Sequence, residues 1–197
     1  MRKTTVIAIT LLVLVMLSAS FYLVVISKQS EQYVPSIQLS GTEAPQFMLT
    51  DQFNNKFDFS STKGKVTLIY FGYTNCPDIC PVVMSKFAYV KNELGDESEK
   101  VEMIMITTDP NTDTPEILNE YIKKYDERII GVTGEYEEME QVWKKFKIPV
   151  QEKHDGMNMA HFSLVIVTDK NHSMKFALTP EMSEKEYLES VKSLLWF

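Results

Sequence analysis

A chain of 197 residues with 44% hydrophobic and 24% charged content has enough apolar material for one globular domain with a proper core, which excludes a disordered or low-complexity protein. The formal net charge is −7, and setting aside the three basic residues of the first 28 leaves 27 acids against 17 bases. Nucleic acid and anionic lipid surfaces are bound by basic patches, so a balance this acidic argues against both.

Residues 1–28 begin with Arg2 and Lys3 and continue as an apolar run from Val6 to Ile26, broken only by Thr10, Ser18 and Ser20. In a helix such a run spans about 31 Å, enough to cross a bilayer's hydrocarbon core. The basic residues in front of it predict a cytoplasmic tip, a single-pass transmembrane helix in the cell membrane, and a domain on the extracytoplasmic side. The alternative is a cleaved signal peptide with Ser18-Ala19-Ser20 as its small-residue site. The apolar run continues through Phe21 to Ile26, beyond that site, which favours an uncleaved anchor. Either way the rest of the chain meets an oxidising compartment.

Residues 29–44 are polar, contain Pro35 and Gly41, and read as a linker to a domain over 45–197. Gln46–Thr50 and Lys56–Phe59 alternate apolar and polar around Asp51–Asn55, which predicts an N-terminal β-hairpin. Val66–Tyr73 is a nearly unbroken apolar run, as expected of a strand buried on both faces. A helix follows over Val82–Leu94, with Val83, Phe87, Val90 and Leu94 inward and Gly95 as its stop. Val101–Thr108 is a second buried strand, in which Met103 and Met105 fill core.

The segment Asp109–Glu116 runs into a helix that is capped either by Asp113, with Glu116 closing a capping box, or by Thr114 with Pro115 in the first turn. That helix extends to about Tyr125, a short strand covers Arg128–Val132, and another helix covers Glu135–Phe146. Ile148–Ala160 has no apolar period and reads as a long loop, for which a functional role is worth seeking. Phe162–Thr168 is a strand, Asp169–His172 a turn, Met174–Leu178 a returning strand, and Met182–Trp196 a closing amphipathic helix. Strands alternating with helices predict an α/β domain with a parallel central sheet and an antiparallel edge.

The only two cysteines, Cys76 and Cys80, stand where the first buried strand gives way to a helix. So close a pair can staple the chain, exchange disulfides or grip a soft metal. A ring this short adds little entropic stabilisation, which favours chemistry over stapling. A redox-type pair after the first βα strand makes the domain look like a thioredoxin fold with extra elements. A helix N-terminus lowers a thiol's pKa there. Three residues, Pro77, Asp78 and Ile79, separate the sulfurs where ordinary oxidoreductases have two, and the Asp78 carboxylate opposes a thiolate unless a cation is near. Those features suit a cation better than fast exchange.

Two thiolates hold Cu(I) and other soft ions, and an added imidazole suits Cu(II). Of the three histidines, His172 lies among turn-forming residues and is expected to be solvated, and His154 to be an exposed loop residue. His161 stands where the long loop enters a core strand, a junction that faces the cysteine helix in thioredoxin folds. Met157 and Met159 could offer thioethers, although loop packing accounts for them as well.

Thr74-Asn75-Cys76-Pro77-Asp78-Ile79-Cys80-Pro81, the Thr108-Asp109-Pro110…Asp113-Thr114-Pro115 segment and His161 together resemble the Sco (SenC-type) family, from about Pro45 to the C-terminus. The resemblance implies a thioredoxin-like fold and a membrane-tethered copper-binding protein. Such a metallochaperone assists assembly of the binuclear copper centre of cytochrome c oxidase subunit II. It further implies Cys76, Cys80 and His161 as copper ligands and a Cys76–Cys80 disulfide in the oxidised form. Family members carry Asp-His followed by Ser or Thr, whereas this chain reads Ala160-His161-Phe162 and so lacks those orienting neighbours. The alternative function is a thiol-disulfide oxidoreductase that reduces the oxidase's copper-site cysteines, with Cys76 and Cys80 as its catalytic redox pair. A peroxiredoxin-type peroxidase would need an arginine beside its cysteine, and the only arginines are Arg2 and Arg128. A monomer is expected, with the oxidase subunit and the membrane as its partners.

Overall fold

The structure, a computed structural model, describes residues 11–22, 37–150 and 163–195. Residues 11–22 form a helix, α1, with Leu11, Leu14, Val15 and Phe21 all exposed. It belongs to one unit, Met1–Val34, and the chain from Pro35 onward forms a second. Among the described residues no helix is long and apolar enough to cross a membrane; the remainder of the run expected to do so lies outside them.

Among the described residues the second unit is built on one eight-stranded sheet. In chain order its strands are β1 (Ile37–Gln38), β2 (Met48–Asp51), β3 (Lys56–Asp58), β4 (Val66–Gly72), β5 (Val101–Thr107), β6 (Ile130–Thr133), β7 (Val165–Thr168) and β8 (Met174–Leu178). Across the sheet the order is β1-β8-β7-β4-β5-β6-β2-β3. β4 runs parallel to β5, in register from Val66–Val101 to Gly72–Thr107, and β5 runs parallel to β6. β7 lies antiparallel on the other side of β4 and pairs with β8. The expected N-terminal hairpin is β2–β3, which joins the sheet through β2 and β6. Part of the stretch read as linker supplies β1, antiparallel to β8, and an isolated bridge between Glu43 and Ser173.

The helices are α2 (Ile79–Leu94), α3 (Pro115–Ile122), α4 (Tyr136–Phe146) and α5 (Glu184–Leu195). All seven residues of β4 are buried, because both faces of the sheet are covered. Ile69, Phe71, Ile104 and Ile106 share a core with Val142, Trp143 and Phe146 of α4 and with Phe47 and Phe59. Tyr70 alternates to the other face, where its hydroxyl reaches Cys80 of α2. α2 and α5 pack together, and the buried Lys86 amine of α2 donates to the carbonyls of Pro180 and Met182. The α/β layout is the expected one, a mixed sheet with a parallel centre and helices on both faces.

Local rules set the element ends. Gly95, at φ 53°, stops α2. Thr114, not Asp113, caps α3: its hydroxyl accepts from the Ile117 N–H, and Pro115 occupies the first turn. The helix ends at Ile122, short of Tyr125, and β7 begins at Val165 rather than Phe162.

His172 departs from its expected place in solvent. It is 1% exposed, and its ring stacks on Phe59 with centroids 4.3 Å apart. Nε2 lies 3.0 Å from Thr62 Oγ1, and Nδ1 lies 3.3 Å from the Gln46 side-chain amide. The Asp169–His172 turn is indeed a turn, with His172 in the left-handed region at φ 62°, which histidine tolerates better than branched residues do. It is covered because the chain around Ala44 crosses over it, the Ala44 N–H donating to the His172 carbonyl at 2.7 Å. Turn composition reports local geometry and is blind to a segment more than a hundred residues away.

Burial lowers the His172 pKa from its usual 6.5, so the folded chain holds this proton more weakly than the unfolded chain does. Its contribution to stability is whole above about pH 6.5 and is lost as pH falls below that value toward the folded pKa. Urea unfolding is expected to show stability declining from pH 7 to pH 5, and His172→Gln is expected to flatten that decline. His172→Ala is expected to cost about 2–3 kcal/mol at pH 7 through lost stacking and stranded partners.

Candidate metal centre

β4 ends at Gly72, and residues 73–78 carry the chain to the first turn of α2. A Cβ on Gly72 would lie 2.6 Å from Tyr70 Cε1 and 3.0 Å from Cys80 Sγ, so the strand end passes directly beneath the second thiol and only glycine fits. Cys80, the second residue of α2, is 2% exposed, and its sulfur accepts from the Tyr70 hydroxyl at 3.2 Å. Cys76 is half-buried, and its sulfur accepts from the Cys80 backbone N–H at 3.4 Å. It therefore caps the α2 N-terminus, where unpaired N–H groups favour negative charge. Both thiols are free, and they face one another closely enough to influence each other's ionisation.

The two sulfurs are chemically unequal. Burial pushes the Cys76 thiol up. The Cys80 backbone N–H and thiol and the N–H groups of Asp78 and Ile79 outweigh that push, and its pKa falls below the usual value. Burial drives Cys80 up to about 12, against the Tyr70 hydroxyl and the Tyr73 backbone. Asp78 acts on Cys76 chiefly through its N–H, in the sense opposite to that expected of its carboxylate. Burial and then the two thiols also raise the Tyr73 phenol, so a second tyrosine belongs to this environment.

The burial of one acid beside the cysteines is not legible in the sequence. Asp113, expected as a possible cap, is fully buried. Its carboxylate accepts from Thr74 Oγ1 and Thr107 Oγ1, each at 2.6 Å, and from the Thr74 N–H at 3.1 Å. The available signal was that Thr114-Pro115 already supplies a cap, which leaves the adjacent Asp113 surplus. Asp109 is buried at the end of β5, with its N–H donating to Thr107 Oγ1 at 2.9 Å.

His161, the third expected ligand, lies outside the described residues, as do His154, Met157 and Met159. Among the described residues no three His, Cys, Asp or Glu side chains cluster as metal ligands. What the fold does fix is that Val165, at the start of β7, pairs with Tyr70 near the end of β4. The chain thus enters β7 at the same end of the sheet from which β4 leaves for the cysteines.

A family model described as SCO1/SenC matches residues 36–196. A SCO2-like protein of Rickettsia prowazekii is 34% identical over 166 residues, covering 82% of this chain and 79% of its own. The mitochondrial protein SCO2 of Saccharomyces cerevisiae is 42% identical over 104 residues, 52% of this chain and 34% of its own. Among solved structures, copper-bound ScoI of Bradyrhizobium japonicum is similar with a TM-score of 0.69 at 28% identity, covering 78% of this chain and 99% of that one. Copper-bound yeast Sco1 gives 0.70 at 27%, covering 79% and 89%.

Exposure and ionisation both favour Cys76 as the reactive thiol. Limiting iodoacetamide at pH 7.5, followed by peptide mass mapping, is expected to label Cys76 at least tenfold faster than Cys80. Comparable rates would contradict the asymmetry.

Proposed function

The chain belongs to the SCO1/SenC family, and on that premise we propose that it binds copper through Cys76, Cys80 and His161 and delivers it to the binuclear copper centre of cytochrome c oxidase subunit II. In this reading residues 1–28 anchor a monomeric protein in the cell membrane, and the stretch between them and β1 tethers the domain on the extracytoplasmic side; the rest of 29–44 belongs to the domain itself. The observation that carries the proposal is the placement of two unequal thiols at the α2 N-terminus, at the end of the sheet where β7 begins.

The donor chemistry fits the cargo. Paired sulfurs prefer soft ions, and the Cys76 thiolate favoured by the helix N-terminus gives copper a first ligand near neutral pH. Cys80 must lose its proton to become the second, so loading releases a proton from a buried group and tightens as pH rises. His161 is four residues from Val165, the partner of Tyr70, a sequence distance that supports its role as the nitrogen ligand. Ile79 and Val82, 38% and 43% exposed in the first turn of α2, offer apolar contact to a protein partner beside the thiols.

The thiol asymmetry favours a second reading, the thiol-disulfide oxidoreductase. The Cys76 thiolate would attack one sulfur of the oxidase's copper-site disulfide, forming a mixed disulfide and releasing the other sulfur as a thiol. Cys80 would then give up its proton and attack Cys76. The second oxidase thiol leaves, and two electrons have passed from the Cys76–Cys80 pair to the oxidase.

Titration of the reduced protein with Cu(II), followed by its sulfur-to-copper absorption, separates the two readings. His161→Ala is expected to weaken Cu(II) binding at least tenfold and to change that absorption. Unchanged affinity and spectrum, with exchange activity retained, would move the assignment to the oxidoreductase.

A further inference from the structure

A buried carboxylate is costly unless it is well bonded, so Asp113 needs a reason to be where it is. It is not needed to cap α3, because Thr114 does that. Its partners lie instead on two other segments: Thr74, two residues before Cys76, and Thr107, the last residue of β5. The same loop is held at two neighbouring points. The Thr108 N–H donates to the Gly72 carbonyl at 2.8 Å, and the Cys76 N–H donates to the Tyr73 carbonyl at 3.3 Å. Cys80, by contrast, is fixed by α2 itself and by the Tyr70 hydroxyl. Apart from a longer bond of 3.4 Å from the Thr108 hydroxyl to the Gly72 carbonyl, the side-chain bonds that hold the Cys76 approach to the sheet therefore converge on one carboxylate.

We propose that Asp113 is a positioning residue for the thiol pair: by clamping Thr74 to the end of β5 it holds Cys76 in its open dithiol position and disfavours closure of the Cys76–Cys80 disulfide. The bonds to Thr74 are made with Cys76 Sγ over the α2 N-terminus. Closing the disulfide draws that sulfur to bonding distance of Cys80 Sγ, while Cys80 is held from two sides. The Cys76 loop must therefore give way, and the Asp113 clamp resists its movement. A copper site needs two separate thiolates, so the clamp also keeps the pair ready for metal.

The proposal rests on Cys76 and Cys80 being a redox-competent pair, and its test uses no copper. The protein is equilibrated with glutathione and glutathione disulfide. In the reaction one glutathione disulfide takes two electrons and two protons from the dithiol, leaving the Cys76–Cys80 disulfide and two glutathione thiols. Asp113→Asn, which keeps the side chain's shape, is expected to shift the equilibrium constant at least threefold toward the protein disulfide. Thr74→Val keeps the backbone bond to Asp113 and is expected to shift it at least twofold the same way. In the double variant the two effects should fall short of additive, as contacting residues do. His172→Gln, at the opposite end of the sheet, should leave the constant unchanged, which separates positioning from general loss of stability.

A shift below threefold in Asp113→Asn, or one toward the dithiol, overturns the proposal; should that variant not fold, the twofold threshold for Thr74→Val decides. Failure of the unmodified protein to form the disulfide at all would remove the redox pair itself, and the clamp's role with it.

Discussion

β4 has neighbours that run in opposite directions, and the site depends on that arrangement. Its parallel partner β5 ends where it ends, and its antiparallel partner β7 begins there. Three chain segments therefore converge at one end of the sheet: the loop to Cys76, the Thr107–Asp113 connection, and the start of β7. In an all-parallel sheet the ends of β4 and β5 would still meet here, but the start of β7 would lie at the opposite end. The seven buried residues of β4 fix that meeting point, because a strand packed on both faces cannot slide without turning its side chains over.

At this meeting point the protein makes two like side chains behave differently. Four positions in a helical path separate the cysteines, so one sulfur sits over the helix N-terminus and the other within the first turn, against the sheet. Exposure and unpaired N–H groups favour charge on the first, and desolvation denies it to the second. The two proposed readings, copper delivery and thiol exchange, would both draw on this one polarity.

The parts of the fold written in local pattern were legible. The continuous runs of β4 and β5, the stripe of α2 and the hairpin β2–β3 appear where hydrophobic periodicity placed them. The cysteine half of the site was equally plain, because its spacing and its strand-to-helix context are both local. The burial of His172 and of Asp113 is not written in local pattern, for a common reason. Each is a short polar residue in turn-like surroundings, and its burial is decided by partners distant in sequence: Phe59, Thr62 and Gln46 for the one, Thr74 for the other. β1 was hidden similarly, since two residues of a polar stretch carry no period and acquire a partner only from β8.

The sheet also carries its own protection against self-association. Its rims are the two shortest strands, β1 with two residues and β3 with three, and the β3 rim exposes Lys56 and Asp58 on either side of a buried Phe57. An eight-stranded sheet would otherwise offer long rows of unpaired amides to a neighbour, the usual template for intermolecular strand addition. Among the described residues the β1 rim offers two residues to a second molecule, and the β3 rim a charged face. Rims this short or charged leave little template for such pairing, and the thiols lie at the strand ends instead of along their sides.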